Sequence, residues 1–471
     1  MTEKELRSAF RAQFGVWDRA DKVRRLRELH THAERLELRV WANLVAARLA
    51  LVENRLDAAI RLSTAVAYDP VADPAQRAWA LITRGEVNEM RRNPGQALTD
   101  YSAVLARAAP GEARTKARVR RATLYESQGM ETQAFADYTA AIDDHAAPVG
   151  EKAEALIGRG GLYARRGETA QAIADFTAVI HDLAASGGQK ALARVQLAGI
   201  RGMQGNAAQA LADYKALIDE PATPASAKTL ARVLRGVVYL GQGRVADAVR
   251  EYTAAIADPA AEADTKALAL IKRGDARSRE ERLAMAVADY TAVIEAPDAS
   301  AYTKGEACLK RGFLYERQGK LGRATTDYTA VIGNPVASAC DKAIARLNRG
   351  LLYEREKQPI KAIADYTAVV DEPSAPPQLR AKARVDRGAV YLLHQRLLDL
   401  ALADFTAVVQ DPAAPSDINA RARANRGIIY GLQGRKVQAV EEFKAVMNDP
   451  AAPDHLRQAA ARGIASVTKP G

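Results

Sequence analysis

Residues 155–180 read ALIGRGGLYARRGETAQAIADFTAVI, and this stretch decides the fold. It holds two runs of helix formers. The first carries R-G-x-x-Y-x-x-x-G as Arg159, Gly160, Tyr163 and Gly167, and the second carries A-I-A-D-F-T-A-V-I from Ala172 to Ile180. Gly167 stands just past the first run, where a left-handed cap residue is wanted. In other parts of the chain the second run ends at Asp69-Pro70, Asp258-Pro259, Asp411-Pro412 or Asp449-Pro450. Proline cannot continue a helix. The predicted unit is a helical hairpin with tight turns.

The same phrase recurs along the chain. Its aromatic falls at Tyr101, Tyr138, Phe176, Tyr214, Tyr252, Tyr290, Tyr328, Tyr366, Phe405 and Phe443, with Ser63 in a degenerate first copy. The spacing is 38 residues almost throughout, which gives eleven copies from about residue 33 to 450. Alanine fills one second-helix column in every copy, from Ala59 and Ala97 to Ala401 and Ala439. Glycine fills a first-helix column at Gly85, Gly160, Gly236, Gly274, Gly312, Gly350, Gly388 and Gly427, replaced by Ala47, Ala122 and Ala198. Glycine inside a helix costs roughly 0.5–1 kcal/mol against alanine. The column is explained if two helices approach there too closely for a larger side chain.

This pattern resembles the tetratricopeptide repeat family, in which Gly, Tyr, Gly, Ala and an aromatic follow one another at the spacing of Gly160, Tyr163, Gly167, Ala172 and Phe176. The resemblance spans residues 33–450. It implies an all-α, right-handed superhelical solenoid of about eleven helix-turn-helix repeats, with the first helices lining a concave face that binds peptides. The period exceeds the family's usual ~34. The extra residues fall before the first helix, in stretches such as PAAEADTKA, and are expected to lengthen it by a turn. Residues 1–32 read as an N-terminal cap of two Arg-rich helices, 3–14 and 17–30. Residues 451–471 read as a solitary capping helix and tail, since end repeats of such arrays are atypical.

A chain of 471 residues with a net charge of +11 invites a nucleic-acid or acidic partner. Two periodic columns temper that. Arg84, Arg121, Arg159, Arg235, Arg273, Arg311, Arg349, Arg387 and Arg426 precede the glycine column. Asp100, Asp137, Asp175, Asp213, Glu251, Asp289, Asp327, Asp365, Asp404 and Glu442 precede the aromatic. A ladder of bidentate Arg–carboxylate pairs is the expected reading. A second basic column, from Arg39, Arg77 and Arg114 to Lys342 and Arg380, lies where cations complement the carbonyl end of the preceding helix.

In copies seven to nine the first-helix stripe at i and i+7 gives Lys272 and Arg279, Lys310 and Arg317, Asn348 and Arg355, which lack a repeating acidic partner. These six are the candidate groove for an acidic segment or C-terminal carboxylate. The resemblance extends to family members that clamp chaperone-tail carboxylates, but the lysine position of that clamp is apolar here (Ile157, Val195, Val233, Ile271, Leu309). Copy seven departs from the pattern with Arg277 and Glu281, copy five with Leu197 and Arg201, and copy ten carries an extra residue near His394. These read as kinks, as contact points or equally as drift in a tolerant array. Trp17, Trp41 and Trp79 are the only tryptophans, serving either cap packing or as an anchor for a partner.

No HExxH, CxxC, P-loop, EF-hand or GxSxG phrase occurs. No enzyme activity, catalytic residue, metal or cofactor is therefore expected. Cys308 and Cys340 make no disulfide framework. The start lacks an apolar signal core and no window suits a spanning helix, so a cytoplasmic location is expected. The expected function is a non-enzymatic scaffold or regulatory adaptor that binds a peptide segment or partner protein on the concave face. The alternatives are a helical-repeat nucleic-acid reader and a peptide- or ligand-sensing receptor that regulates an effector.

Overall fold

The computed structural model describes residues 2–12, 19–91, 93–107, 109–395 and 397–468, and every regular element among them is helical. The chain divides into two compact units, residues 1–238 and 239–471. The first holds α1 (Glu3–Ala12), α2 (Arg19–Arg35), α3 (Arg39–Val52), α4 (Leu56–Ala67), α5 (Pro74–Met90), α6 (Pro94–Leu105), α7 (Gly111–Ser127), α8 (Glu131–Ile142), α9 (Val149–Arg165), α10 (Thr169–His181), α11 (Gly187–Met203), α12 (Ala207–Asp219) and most of α13 (Ala225–Gly241). The second holds α14 (Val245–Ala257), α15 (Ala263–Arg279), α16 (Leu283–Glu295), α17 (Ala301–Arg317), α18 (Leu321–Gly333), α19 (Ala339–Arg355), α20 (Pro359–Val370), α21 (Pro377–Val390), α22 (Leu398–Val409), α23 (Ser416–Leu432), α24 (Lys436–Asn448) and α25 (Asp454–Thr468).

Within each unit the helices pair as hairpins, and each second helix packs on the first helix of the next hairpin. First helices such as α9 and α17 have 17 residues against 13 for second helices such as α10 and α18. In PAAEADTKA the turn ends at Glu262 and the last five residues are already helical. The interior is a solenoid core with a column aromatic in each hairpin after the first, where Ser63 stands: Tyr101, Tyr252, Tyr328, Tyr366 and Phe405 are fully buried. The glycine column makes room for it. A Cβ built on Gly350 would lie 2.5 Å from the Tyr366 ring, and one on Gly274 2.6 Å from Tyr290.

The turns follow the expected caps. Gly129, Gly167, Gly205, Gly243, Gly319 and Gly434 all adopt positive φ, between 71° and 83°. Where glycine is missing the geometry persists at a cost, in Asn54 (63°), Glu281 (57°) and Lys357 (57°). The extra residue of copy ten is absorbed by a π-helical turn at Tyr391–Gln395.

At the N-terminus α2 runs on to Arg35, five residues past its expected end, because nothing breaks it before Glu37 at φ 57°. Its Leu26, Leu29 and Ala33 share one apolar cluster with Trp41 and Leu44 of α3. Trp17 lies outside the described residues. At the other end α25 packs on α24 and α23, and a Cβ on Gly463 would meet the Phe443 ring at 2.6 Å.

Candidate functional site

The arginine column proves to be a staple between hairpins. Arg349 grips Asp365 with two parallel bonds, Nε to Oδ2 at 2.8 Å and Nη2 to Oδ1 at 2.7 Å, and its third nitrogen donates to the Thr329 hydroxyl of the preceding second helix at 2.8 Å. Arg311 does the same with Asp327 and Thr291, and Arg387 with Asp404 and Thr367. In the first unit Arg121 joins Asp137 to Ser102, and Arg159 joins Asp175 to Thr139. Each of Arg311 and Arg349 also lies 5.7 Å from the centroid of the tyrosine four residues on. Three of the five guanidinium N–H donors are thus held within the fold, one at each nitrogen, which gives this column a bracing role. The threonine of the D-Y-T-A phrase, to which the sequence assigned no role, is its third acceptor.

The irregular copies preserve the contact by other means. In copy five, where Leu197 replaces the arginine, Arg201 takes Asp213. In copy seven Arg273 and Arg277 both bind Asp289, each at 2.7 Å. Of the second basic column, Arg77 donates to the carbonyls of Asp69 and Pro70, both at 3.0 Å, at the end of α4.

The six groove candidates all lie on α15, α17 and α19. Arg279, Lys310 and Asn348 line one cleft of about 430 Å³, together with Asp275, Ser278, Tyr290, Leu309, Phe313, Leu314 and Ile344. Lys272, Arg317 and Arg355 are on the same helices but outside its lining. The expectation that these cations lack a repeating acidic mate is corrected. Lys310 Nζ bonds Asp275 at 3.1 Å, Arg317 binds Glu281 at 2.9 Å and Arg355 binds Glu316 at 3.2 Å. The acid in each case belongs to the preceding hairpin, 35 to 39 residues earlier, so spacing within one hairpin does not reveal it.

A glutamate twelve positions before the core tyrosine is a recurring part, and in copy seven Asp275, fifteen before Tyr290, takes its place. Glu316 accepts the Tyr328 hydroxyl at 3.2 Å as well as Arg355. Glu126 accepts Tyr138 at 3.0 Å and Arg165 at 2.8 Å, and Asp275 accepts Tyr290 at 2.7 Å beside Lys310. Burial, reinforced by the carboxylate, pushes the titration of Tyr138, Tyr290 and Tyr328 well above the ordinary phenol range. The hydroxyls therefore stay protonated and donate. Where the core aromatic is Phe176 or Phe443, the residue twelve positions earlier is Ala164 or Gly431 and offers no acceptor.

Two cations of the six remain unengaged. Among the described residues neither Lys272 nor Arg279 makes an ion pair. Arg279 is exposed at the cleft, and so is Phe313, at 52%. Phe313 was not singled out from the sequence; its signal is a large apolar residue three positions after Lys310 on the same stripe. Cys308 is buried in the cluster around Tyr328, which pushes its thiol up to about 11. Among the described residues no group of three His, Cys, Asp or Glu side chains could hold a metal ion, and no helix is long and apolar enough to cross a membrane.

Hairpins of this length, stacked through glycine–aromatic contacts and capped by positive-φ glycines, define the class of tetratricopeptide-type helical repeat proteins, a fold commonly used for protein–protein scaffolding. Residues 155–278 match the family described as tetratricopeptide repeat-like domain. Solved structures with a similar fold include a tetratricopeptide repeat protein from Parabacteroides merdae, 20% identical over 59% of this chain and 100% of that one, with a TM-score of 0.38. The C-terminal part of a repeat protein from Cytophaga hutchinsonii is 15% identical over 56% and 98%, at 0.43. The human IFIT1 dimer with m7Gppp-AAAA is 14% identical over 87% and 90%, at 0.47. No curated protein matches the chain in sequence.

Proposed function

We propose that the protein is a non-enzymatic scaffold or adaptor, and that the α15–α17–α19 cleft receives an acidic peptide segment or the C-terminal carboxylate of a partner protein. The observation that carries this reading is the pairing state of the lining. Asp275 and Lys310 neutralise each other, which leaves Arg279 as the lining charge with no mate, in a cleft that also exposes Phe313. An unpaired guanidinium offers a fork to a carboxylate, and an exposed ring beside it offers apolar area to a neighbouring side chain. Lys272 extends the positive field along α15. Lys310, Arg317 and Arg355 act as the frame of the site, and Asn348 as a neutral hydrogen-bonding group on its α19 wall.

The test is calorimetric titration with acidic, aromatic-containing peptides that end in a free carboxylate or in an amide. Binding is expected to need the carboxylate and to weaken at least ~10-fold in Arg279→Glu, the scale of losing a charged hydrogen-bonded pair. Arg317→Glu, which also breaks an existing pair, is expected to weaken binding less. If the peptides bind Arg279→Glu as well as the native protein, the cleft is not the site. If single-stranded RNA binds instead, with affinity falling steeply as salt rises, the chain is a nucleic-acid reader.

A further inference from the structure

Two joints between hairpins show how this chain holds a carboxylate. Glu126 bridges two donors, with Oε2 on the Tyr138 hydroxyl at 3.0 Å and Oε1 on Arg165 at 2.8 Å. Glu316 repeats the arrangement, with Oε2 on the Tyr328 hydroxyl and Oε1 on Arg355, both at 3.2 Å. In each case the acid stands twelve residues before the tyrosine, and the arginine twenty-seven after it. Tyr252 has the same two donors at the same spacing, because Arg279 lies twenty-seven residues on, but Leu240 stands where the acid belongs. Leu240, Tyr252 and Arg279 all fall within the second unit. Tyr252 is fully buried, and among the described residues its hydroxyl finds no hydrogen-bond partner. Arg279 makes no ion pair among the described residues. Burial pushes the Tyr252 phenol above its ordinary range, and the two charges that act on it are Asp275 and Arg279. The hydroxyl therefore stays protonated, a buried donor without an acceptor. Asp275 is engaged elsewhere, accepting from Tyr290 and Lys310.

We propose that Tyr252 and Arg279 form a carboxylate-binding site that a ligand completes, and that the carboxylate of a bound peptide takes the place that Glu126 and Glu316 hold in their own joints. This rests on the reading of Arg279 as the receiver of a partner's carboxylate, and it gives that carboxylate a second donor. A carboxylate has the two oxygens that the site needs, one for the neutral hydroxyl and one for the guanidinium. An amide offers one oxygen and no charge, and so satisfies only one of them. Leu240, half-buried at the end of α13, has to swing outward as the carboxylate reaches the covered hydroxyl. Arg279 also lines the α15–α17–α19 cleft, so a peptide seated there and a carboxylate held at Tyr252 share this guanidinium.

The first arm of the test needs no ligand. Leu240→Glu supplies the acid from the chain itself and should raise the urea midpoint. Tyr252→Phe or Arg279→Gln in that background should each remove most of the gain. Phenylalanine already stands in this column at Phe176, Phe405 and Phe443, and glutamate at the Leu240 register at Glu126 and Glu316, so these variants suit the fold. The second arm titrates full-length protein with labelled tetrapeptides: EDFE with a free or an amidated C-terminus, and QNFQ with a free one. Tyr252→Phe should weaken binding of free EDFE at least ~10-fold, the scale of a hydrogen bond to a charged group. Leu240→Ala, which uncovers the hydroxyl, should tighten it, and Leu240→Glu, which fills the site, should weaken it. Opposite effects at one position are not expected of a residue that only packs. Loss on amidation assigns the site to a terminal carboxylate, and loss in QNFQ to side-chain carboxylates. If Leu240→Glu gains nothing through Tyr252 and Arg279, or if Tyr252→Phe binds as the native chain does while Arg279→Glu does not, the site is overturned and the cleft reading survives. If neither Tyr252→Phe nor Arg279→Glu changes binding, or no peptide binds the native chain, both fall.

Discussion

Gly160 and Gly161 are adjacent on α9 and do opposite work. A Cβ on Gly160 would lie 2.8 Å from the Phe176 ring, which is 1% exposed, whereas a Cβ on Gly161 would meet no atom within 4 Å. Overpacking a core of this kind costs typically ~1–3 kcal/mol, more than the ~1 kcal/mol that alanine gains over glycine in a helix. Gly160→Ala is therefore expected to lower the stability of its hairpin, and Gly161→Ala to raise it by up to ~1 kcal/mol. Urea titrations followed by far-ultraviolet circular dichroism check this, and midpoints that shift in the same direction would refute the steric account. The same logic explains why the glycine column runs beside the aromatic column: the ring fills the volume that a side chain on the first helix would need.

At the scale of the helix, the arginine staple sets how strongly one hairpin holds the next, and copy five is its gap. Arg201 reaches Asp213 within its own hairpin, but with Leu197 in the column no guanidinium among the described residues bonds Thr177 of α10, as Arg159 bonds Thr139 one hairpin earlier. Copy seven shows that two arginines fit on one aspartate, with Arg273 also reaching Thr253 at 3.1 Å. Leu197→Arg is accordingly expected to stabilise the α10–α11 joint by ~0.5–1.5 kcal/mol, the net worth of such a hydrogen bond. Thr177→Val in that background should cancel most of the gain, and a double-mutant cycle measures the coupling. Coupling within error of zero would mean the threonine is not a partner. The columns themselves were legible in the sequence because small and charged residues recur at a fixed period. Their contacts were only half legible. Arg349 with Asp365 could be paired within one hairpin, but Thr329 and the acid mates of Lys310, Arg317 and Arg355 belong to a neighbouring hairpin, and a period says nothing of which faces meet. For the same reason the three stripes Lys272–Arg279, Lys310–Arg317 and Asn348–Arg355 could be drawn helix by helix, while which of their residues share a cleft, and that among the described residues Lys272 and Arg279 make no ion pair, needed the packed helices.

For the whole molecule, the net charge of +11 is a sum over many matched pairs, and its meaning depends on how far neighbouring hairpins act together. Stability in a stacked array is approximately a sum of local terms and nearest-neighbour interfaces, so distant parts need not unfold together. The sequence provides the means to see this. All three tryptophans, Trp17, Trp41 and Trp79, lie in the first 80 residues, whereas helices fill both units. Tryptophan emission reports only the N-terminal end, and far-ultraviolet ellipticity reports every hairpin. The copy-five joint, which lacks the column arginine, lies in the first unit. The fluorescence transition in urea is therefore expected at a lower midpoint than the ellipticity transition, with ellipticity spread over a broader range. Coincident transitions are the mark of a single cooperative unit. If the two probes superimpose within error, the staples couple the hairpins strongly enough to make the array one cooperative body, and the local account of its stability fails.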